Sequence, residues 1–131
     1  LYHCHMRDMP SLYATQVEIL IEKELNILLL QSAWQQTVAD HKILNASLNA
    51  NNDFVFSNKI SLDFNYFSFE KDDDPLFKYL KFKESDLLRG INLKTDKLHR
   101  MNIIKINQEK FYILWTHHHL LFDASSFTKI I

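Results

Sequence analysis

Period-two alternation, interrupted by two stretches of helical spacing, constrains this chain more than any other feature. In residues 12–22, Tyr13, Thr15, Val17, Ile19 and Ile21 fall on one side and Gln16, Glu18 and Glu22 on the other. That pattern predicts a strand with one wet face. Ile60, Leu62, Phe64 and Tyr66 alternate in the same way. Residues 99–106 and 111–117 (HRMNIIKI and FYILWTH) flank the polar turn NQEK and predict a hairpin. HKILNASL and FVFS, on either side of NANND, predict a shorter one. Asn26 is an N-cap for a helix over 27–40, in which Ile27, Leu30, Trp34 and Val38 recur at three-to-four spacing. The acidic run 71–74 ends at Pro75, a good first helical residue, and PLFKYLKFKESDLL follows, stopped by Gly90. SSFTKII predicts the start of a last helix. The order β-α-β-β-β-α-β-β-α predicts an α/β fold: a two-layer sandwich of a mixed, largely antiparallel sheet with helices on one face.

Composition removes several classes of function. The 131 residues are enough for one domain, and ten Phe, five Tyr and two Trp are too many for a disordered chain. Lys and Arg number 15 against 16 Asp and Glu, so no basic field exists to hold nucleic acid or an anionic membrane. Gly90 is the single glycine, where average usage of about 7% would give roughly nine. Glycine-rich phosphate loops are therefore excluded. Cys4 alone cannot form an internal disulfide or a Cys-rich zinc module. The N-terminal residues lack the layout of a signal peptide, and no apolar run approaches the ~20 residues of a membrane span. The expected setting is reduced and cytoplasmic. The chain begins without Met and stops inside an apolar stretch, so we expect a piece of something longer.

The chemistry-bearing stretch is WTHHHLLFDASS, residues 115–126. Three histidines end a predicted strand, and Asp123 follows His119 by four residues. A strand end that turns into a loop projects side chains into a cleft. An imidazole, with a reference pKa of about 6.5, accepts a proton near neutral pH. Asp123 can hold an imidazole ring or lock the local backbone, and the pattern alone leaves both open. Elsewhere the bland readings prevail. His117 reads as a strand-end residue. His3, Cys4 and His5 have metal-ligand chemistry but read as a frayed, solvent-facing terminus. Asp72, Asp73 and Asp74 lack the glycine turn and distal Glu of a calcium loop and read as a solvated helix start. Trp34 and Trp115 read as core anchors. No metal site is expected.

The histidine stretch is similar to the HHxxxDG motif, followed by an aromatic and a serine, of condensation domains from nonribosomal peptide synthetases. Here it runs His118, His119, Leu120, Leu121, Phe122, Asp123, Ala124, Ser125, Ser126. Leu25-Asn26, Ala33-Trp34 and His41-Lys42-Ile43-Leu44 resemble that family's "LD…L..AW..lv..H.iLR" segment. Arg89-Gly90-Ile91-Asn92-Leu93 and Leu98-His99-Arg100 resemble its "rgFdL…PL.R" stretch. Leu1-Tyr2-His3, Tyr13 and Gln16 resemble the segment after its first motif. Residues 1–131 thus resemble most of the N-terminal lobe of a condensation domain, truncated at both ends, in a chloramphenicol acetyltransferase-like fold. The resemblance implies amide-bond formation between a carrier-bound aminoacyl amine and an upstream carrier-bound acyl or peptidyl thioester. It implies His119 as the active-site histidine, with His118, Asp123, Ala124 and Ser126 as motif residues of structural role. It also implies phosphopantetheine-linked substrates delivered by peptidyl carrier domains, no cofactor bound by this lobe, and as partners the C-terminal lobe and an adenylation domain. Arg89 and Arg100 are candidate contacts for the phosphopantetheine phosphate.

Four positions depart from the family pattern. The second motif, usually "RH..LRT.F", places His41 in register but has Asp40 and Asn45 where arginines stand. Asp123 would ordinarily pair with the second of these. Ala124 replaces the motif glycine, and Lys97 replaces a proline. These changes bear on catalysis rather than fold. The alternatives are another thioester-dependent acyltransferase or an epimerisation domain of the superfamily, or a degenerate, non-catalytic docking lobe supported by Asn45 and Ala124.

Overall fold

Residues 2–9 and 13–121 are described in the structure, a computed structural model. Strand β1 (Tyr2–Met9) pairs antiparallel with β2 (Ala14–Ile21). Helix α1 (Ile27–Asp40) starts at Asn26, whose side-chain oxygen accepts from Leu29 N at 3.1 Å. A 3-10 turn over Lys42–Asn45 leads into β3 (Ala46–Leu48), which forms a small hairpin with β4 (Phe54–Phe56). Then come β5 (Phe64–Ser68), α2 (Pro75–Arg89), β6 (His99–Asn107) and β7 (Lys110–His118). The main sheet has the order β1-β2-β7-β6-β5. Its neighbours are antiparallel except β5 and β6, which run parallel because α2 carries the chain back across the sheet. The α/β class with a mixed, largely antiparallel sheet is the expected one. The predicted last helix, from Ser125 onward, lies outside the described residues.

Helix α2 is bounded as its sequence dictates. Asp74 caps it, accepting from Phe77 N at 3.1 Å, and Pro75 occupies the first turn. Gly90 ends it at φ 60°, a conformation open to glycine at little cost.

Layering differs from the expectation of helices on one face. Val17, Ile19, Ile21, Met101, Ile103, Phe111, Ile113 and Trp115 share one face of the sheet by register. Ile27, Leu30 and Trp34 of α1 pack there. Gln16, Glu18, Arg100, Asn102, Ile104, Tyr112, Leu114 and Thr116 share the other face, and α2 covers it through Tyr79 and Phe82. The side of β2 that reads as wet is therefore dry. Gln16 is fully buried, the Tyr79 hydroxyl donates to Glu18, and Lys83 Nζ lies 3.0 Å from the same carboxylate. These polar residues read as solvent-facing only because their partners sit some 60 to 70 positions away in sequence.

Other differences are local. β1 has no counterpart in the expected order. His3, Cys4, His5 and Met6 are all exposed, so neither face of this edge strand is buried there, yet it is paired along its length. His3 and His5 accordingly sit on a strand rather than a frayed end, and His3 Nε2 lies 3.3 Å from Glu22. The strand expected around residues 60–66 begins only at Phe64, where pairing with β6 begins. The first half of HKILNASL is the 3-10 turn.

On the α1 face, His99 is fixed in its neutral form. The Trp115 indole N–H donates to His99 Nδ1 at 3.0 Å, and His99 Nε2 donates to the Leu44 carbonyl at 2.6 Å. The Trp34 ring meets His99 and Trp115 edge-on at 5.9 and 6.1 Å, so both tryptophans anchor the core as expected. Burial pushes the His99 pKa below its ordinary 6.5. The unfolded chain then binds more protons than the folded one as pH falls below 6.5. The stability from this group is complete above about pH 6.5 and is lost as pH falls through the lowered value. Urea midpoints of the intact protein at pH 7.5 and 5.5 should differ in that direction. The difference should shrink in His99→Gln, and an unchanged pH dependence in that variant would contradict the assignment.

Candidate functional site

The end of β7 and the beginning of β2 lie side by side, with Ala14 opposite His118 and Thr15 opposite His117. This pairing delivers the histidines to one end of the sheet. His117 remains within the strand, buried on the α1 face, with its ring 4.5 Å from that of Trp115. His118 is the last strand residue. Its backbone N–H donates to Leu98 O, and its buried Nδ1 accepts from Leu120 N at 3.0 Å, which ties off the turn after the strand. His119 is the first residue beyond β7. Its N–H donates to the Tyr13 carbonyl at 2.8 Å. Tyr13 presents that carbonyl from φ 52°, in the left-handed region that an aromatic residue adopts only under constraint from its surroundings.

The His119 ring has two close neighbours on the β2 side. Thr15 Oγ1 lies 3.3 Å from Nε2, and the Tyr13 ring meets it edge-on with centroids 6.2 Å apart. Tyr13 also stacks on His118 at 5.9 Å. Tyr13, Leu93, His118, His119 and Leu120 line an open pocket of ≈ 360 Å³. The half-buried imidazole thus faces an apolar cavity, where it can exchange a proton with a group held there.

Asp123, Ala124 and Ser126, with Ser125, lie outside the described residues. The remaining sequence candidates are held by other partners. His41 caps the C-terminus of α1, exposed, with Nδ1 donating to Thr37 O at 2.9 Å. Arg89 is exposed and 3.3 Å from Asp96. Arg100 requires correction as a phosphate contact. It is 2% exposed, its Nε donates to Asp86 Oδ1 at 2.7 Å, and its two remaining nitrogens donate to the carbonyls of Asp86 and Gly90 at 2.7 and 2.6 Å. A guanidinium buried under α2 and bonded through all three nitrogens is a structural cation, not a surface one.

Asn45 is a worked-in residue. Its Nδ2 donates to the carbonyls of Ser57 and Lys59, both at 2.9 Å, and its Oδ1 receives Ser61 N at 3.4 Å. A carboxamide both donates and accepts, whereas an arginine only donates. Asn45→Arg and Asn45→Ala should each cost about 1 kcal/mol by urea denaturation of the intact protein. A gain in stability with arginine would contradict this and restore the picture of a decayed salt bridge. The bonds to residues 57–61 weaken the degenerate-lobe alternative, which draws on Asn45.

Sequence reasoning singles out His119 but not the roles of Tyr13, Thr15 or Leu93 around it. The available signal is strand pairing: an antiparallel match of β2 with β7 brings the start of one to the end of the other.

Comparison with known proteins decides the family. The condensation-domain family matches residues 1–131. This chain is a condensation-domain sequence. It is 26% identical over 133 residues to a linear gramicidin synthase protein of Brevibacillus parabrevis, covering 96% of this chain and 3% of that protein. It is 25% identical over 131 residues to bacitracin synthase 3 of Bacillus licheniformis, covering 95% and 2%. The fold superposes on the starter condensation domain of rhizomide synthetase RzmA with a TM-score of 0.74 at 14% identity, over 83% of this chain and 28% of that one. The condensation-domain chain therefore spans a small fraction of its curated relatives and about a quarter of the solved chain. Among the described residues, no helix is long and apolar enough to cross a membrane.

Proposed function

We propose that this chain is most of the N-terminal lobe of a condensation domain that forms amide bonds in nonribosomal peptide synthesis, with His119 as its active-site histidine. The observation that carries the reading is the position of His119: one residue past β7, half-buried, at an apolar pocket, in a chain of this family. The amine of a carrier-bound aminoacyl group attacks the carbonyl carbon of an upstream carrier-bound thioester. The C–N bond forms, the C–S bond breaks, and the proton given up by the amine ends on the departing thiolate. His119 takes that proton or orients the amine. The apolar walls from Tyr13, Leu93 and Leu120 suit an acyl chain.

In this reading the lobe holds no resident cofactor. Both substrates arrive on phosphopantetheine arms of peptidyl carrier domains, and the C-terminal lobe closes the other side of the site. An adjacent adenylation domain supplies the aminoacyl group, in the cytoplasm. Of the two arginines weighed for the phosphate, Arg89 alone is exposed, and the proposal retains it. Asp123 and Ser126 keep their expected roles in supporting the motif.

The test is single-turnover transfer in the complete protein, with an acyl thioester on the upstream carrier and an aminoacyl group on the downstream one. Amide product that disappears in His119→Ala supports the reading. Equal or faster transfer from a CoA thioester to a hydroxyl acceptor would move the chain to another branch of the superfamily.

A further inference from the structure

We infer that Thr15 is a positioning residue for His119, holding the rotamer of its imidazole, and that α2 holds Thr15 in place through Gln16. The inference rests on the reading of His119 as the active-site histidine. An imidazole turns about a broad sp³–sp² torsion and has two chemically distinct nitrogens. A usable base needs one ring orientation. Thr15 Oγ1 lies 3.3 Å from His119 Nε2, and the Tyr13 ring stands edge-on to the imidazole. The hydroxyl can donate to Nε2 or accept from it, so the bond holds the ring orientation in either tautomer.

Thr15 is itself 7% exposed on a strand that is locked from the opposite face. Its neighbour Gln16 is fully buried and spends its amide N–H groups on α2: Nε2 donates to Lys83 O at 2.9 Å and to Asp86 Oδ2 at 3.0 Å. Across the register, Thr116 on β7 donates to the same Asp86 oxygen at 2.5 Å. One carboxylate on α2 therefore fixes β2 and β7 together, one residue before Thr15's partner pair and three before His119. The histidine is further tied to the residue just before β2 by its backbone bond to Tyr13. Thr15 thus approaches the ring from a strand whose position relative to β7 is set by buried groups rather than by the surface turn.

The experiment is Thr15→Val in the complete protein, with Thr15→Ala as a second hydroxyl-free variant and Thr15→Ser as the conservative rescue. We expect kcat for amide formation to fall between about 10- and 100-fold in the hydroxyl-free variants, with KM for the acceptor within about twofold. The ¹⁵N shift of His119 Nε2, in protein labelled at histidine, should move as that hydrogen bond is lost. Thr15→Ser should restore both the rate and the shift. Unchanged kcat and ring shifts in a folded hydroxyl-free variant overturn the inference, as does failure of Thr15→Ser to restore them. The underlying reading fails separately, by full activity in His119→Ala, and the ring shifts in the Thr15 variants are read independently of that activity.

Discussion

Asp86→Asn should lower the stability of the intact protein by about 3–5 kcal/mol, the usual cost of removing one member of a buried ion pair. The Asp86 carboxylate receives Arg100 Nε at 2.7 Å and Asn102 at 3.3 Å on one oxygen, and Gln16 at 3.0 Å and Thr116 at 2.5 Å on the other. An asparagine in its place offers one acceptor where four donors converge and turns its own NH2 towards some of them. The Arg100 charge would remain, 2% exposed and unable to swing to water, because its other nitrogens hold the Asp86 and Gly90 carbonyls at the end of α2. The exposed pair Lys78–Asp72, at 3.1 Å, is the internal control. Asp72→Asn should cost no more than about 1 kcal/mol, because solvent screens that pair. Urea denaturation of the three proteins measures the difference. A loss from Asp86→Asn no larger than that from Asp72→Asn would show that the cluster under α2 is not a paired charge.

The same cluster marks where the sequence stops being readable. The β6–β7 hairpin is legible because each strand alternates and a polar turn separates them. α1 and α2 are legible because Asn26, Asp74, Pro75 and Gly90 are local signals acting within a few residues of the elements they bound. β1 is hard to read because its alternation of Tyr2, Cys4 and Met6 with His3, His5 and Arg7 is short, and an exposed edge strand owes its structure to hydrogen bonds with β2. The second buried face is not legible. Gln16, Glu18, Asp86 and Arg100 look like solvent-facing residues one at a time, and only the crossover through α2 brings them into contact. The site divides along the same line. His119 is visible from its motif, since the spacing of that motif is local. Thr15 stands 104 residues away and becomes its neighbour only when β2 pairs with β7. Arg100 misleads for the converse reason: an arginine in isolation reads as a surface cation, and its partner is set by tertiary packing.

His119→Ala should reduce amide formation in the complete protein by about 10²-fold or more, the scale on which a positioned general acid–base group contributes. The alanine removes the ring but keeps the backbone N–H that bonds to Tyr13, so the turn after β7 and the pocket walls from Tyr13, Leu93 and Leu120 should persist. Folding should therefore change little, and any loss of rate should show in the transfer step. Loading of the carriers takes place elsewhere and should be unaffected. The most direct measurement is the mass of the downstream carrier after a single turnover, followed over time in wild type and His119→Ala with both carriers fully loaded. The account predicts that the wild-type carrier gains the acyl group while the variant carrier stays at its aminoacyl mass over the same interval. Acyl transfer by His119→Ala at the wild-type rate would contradict it.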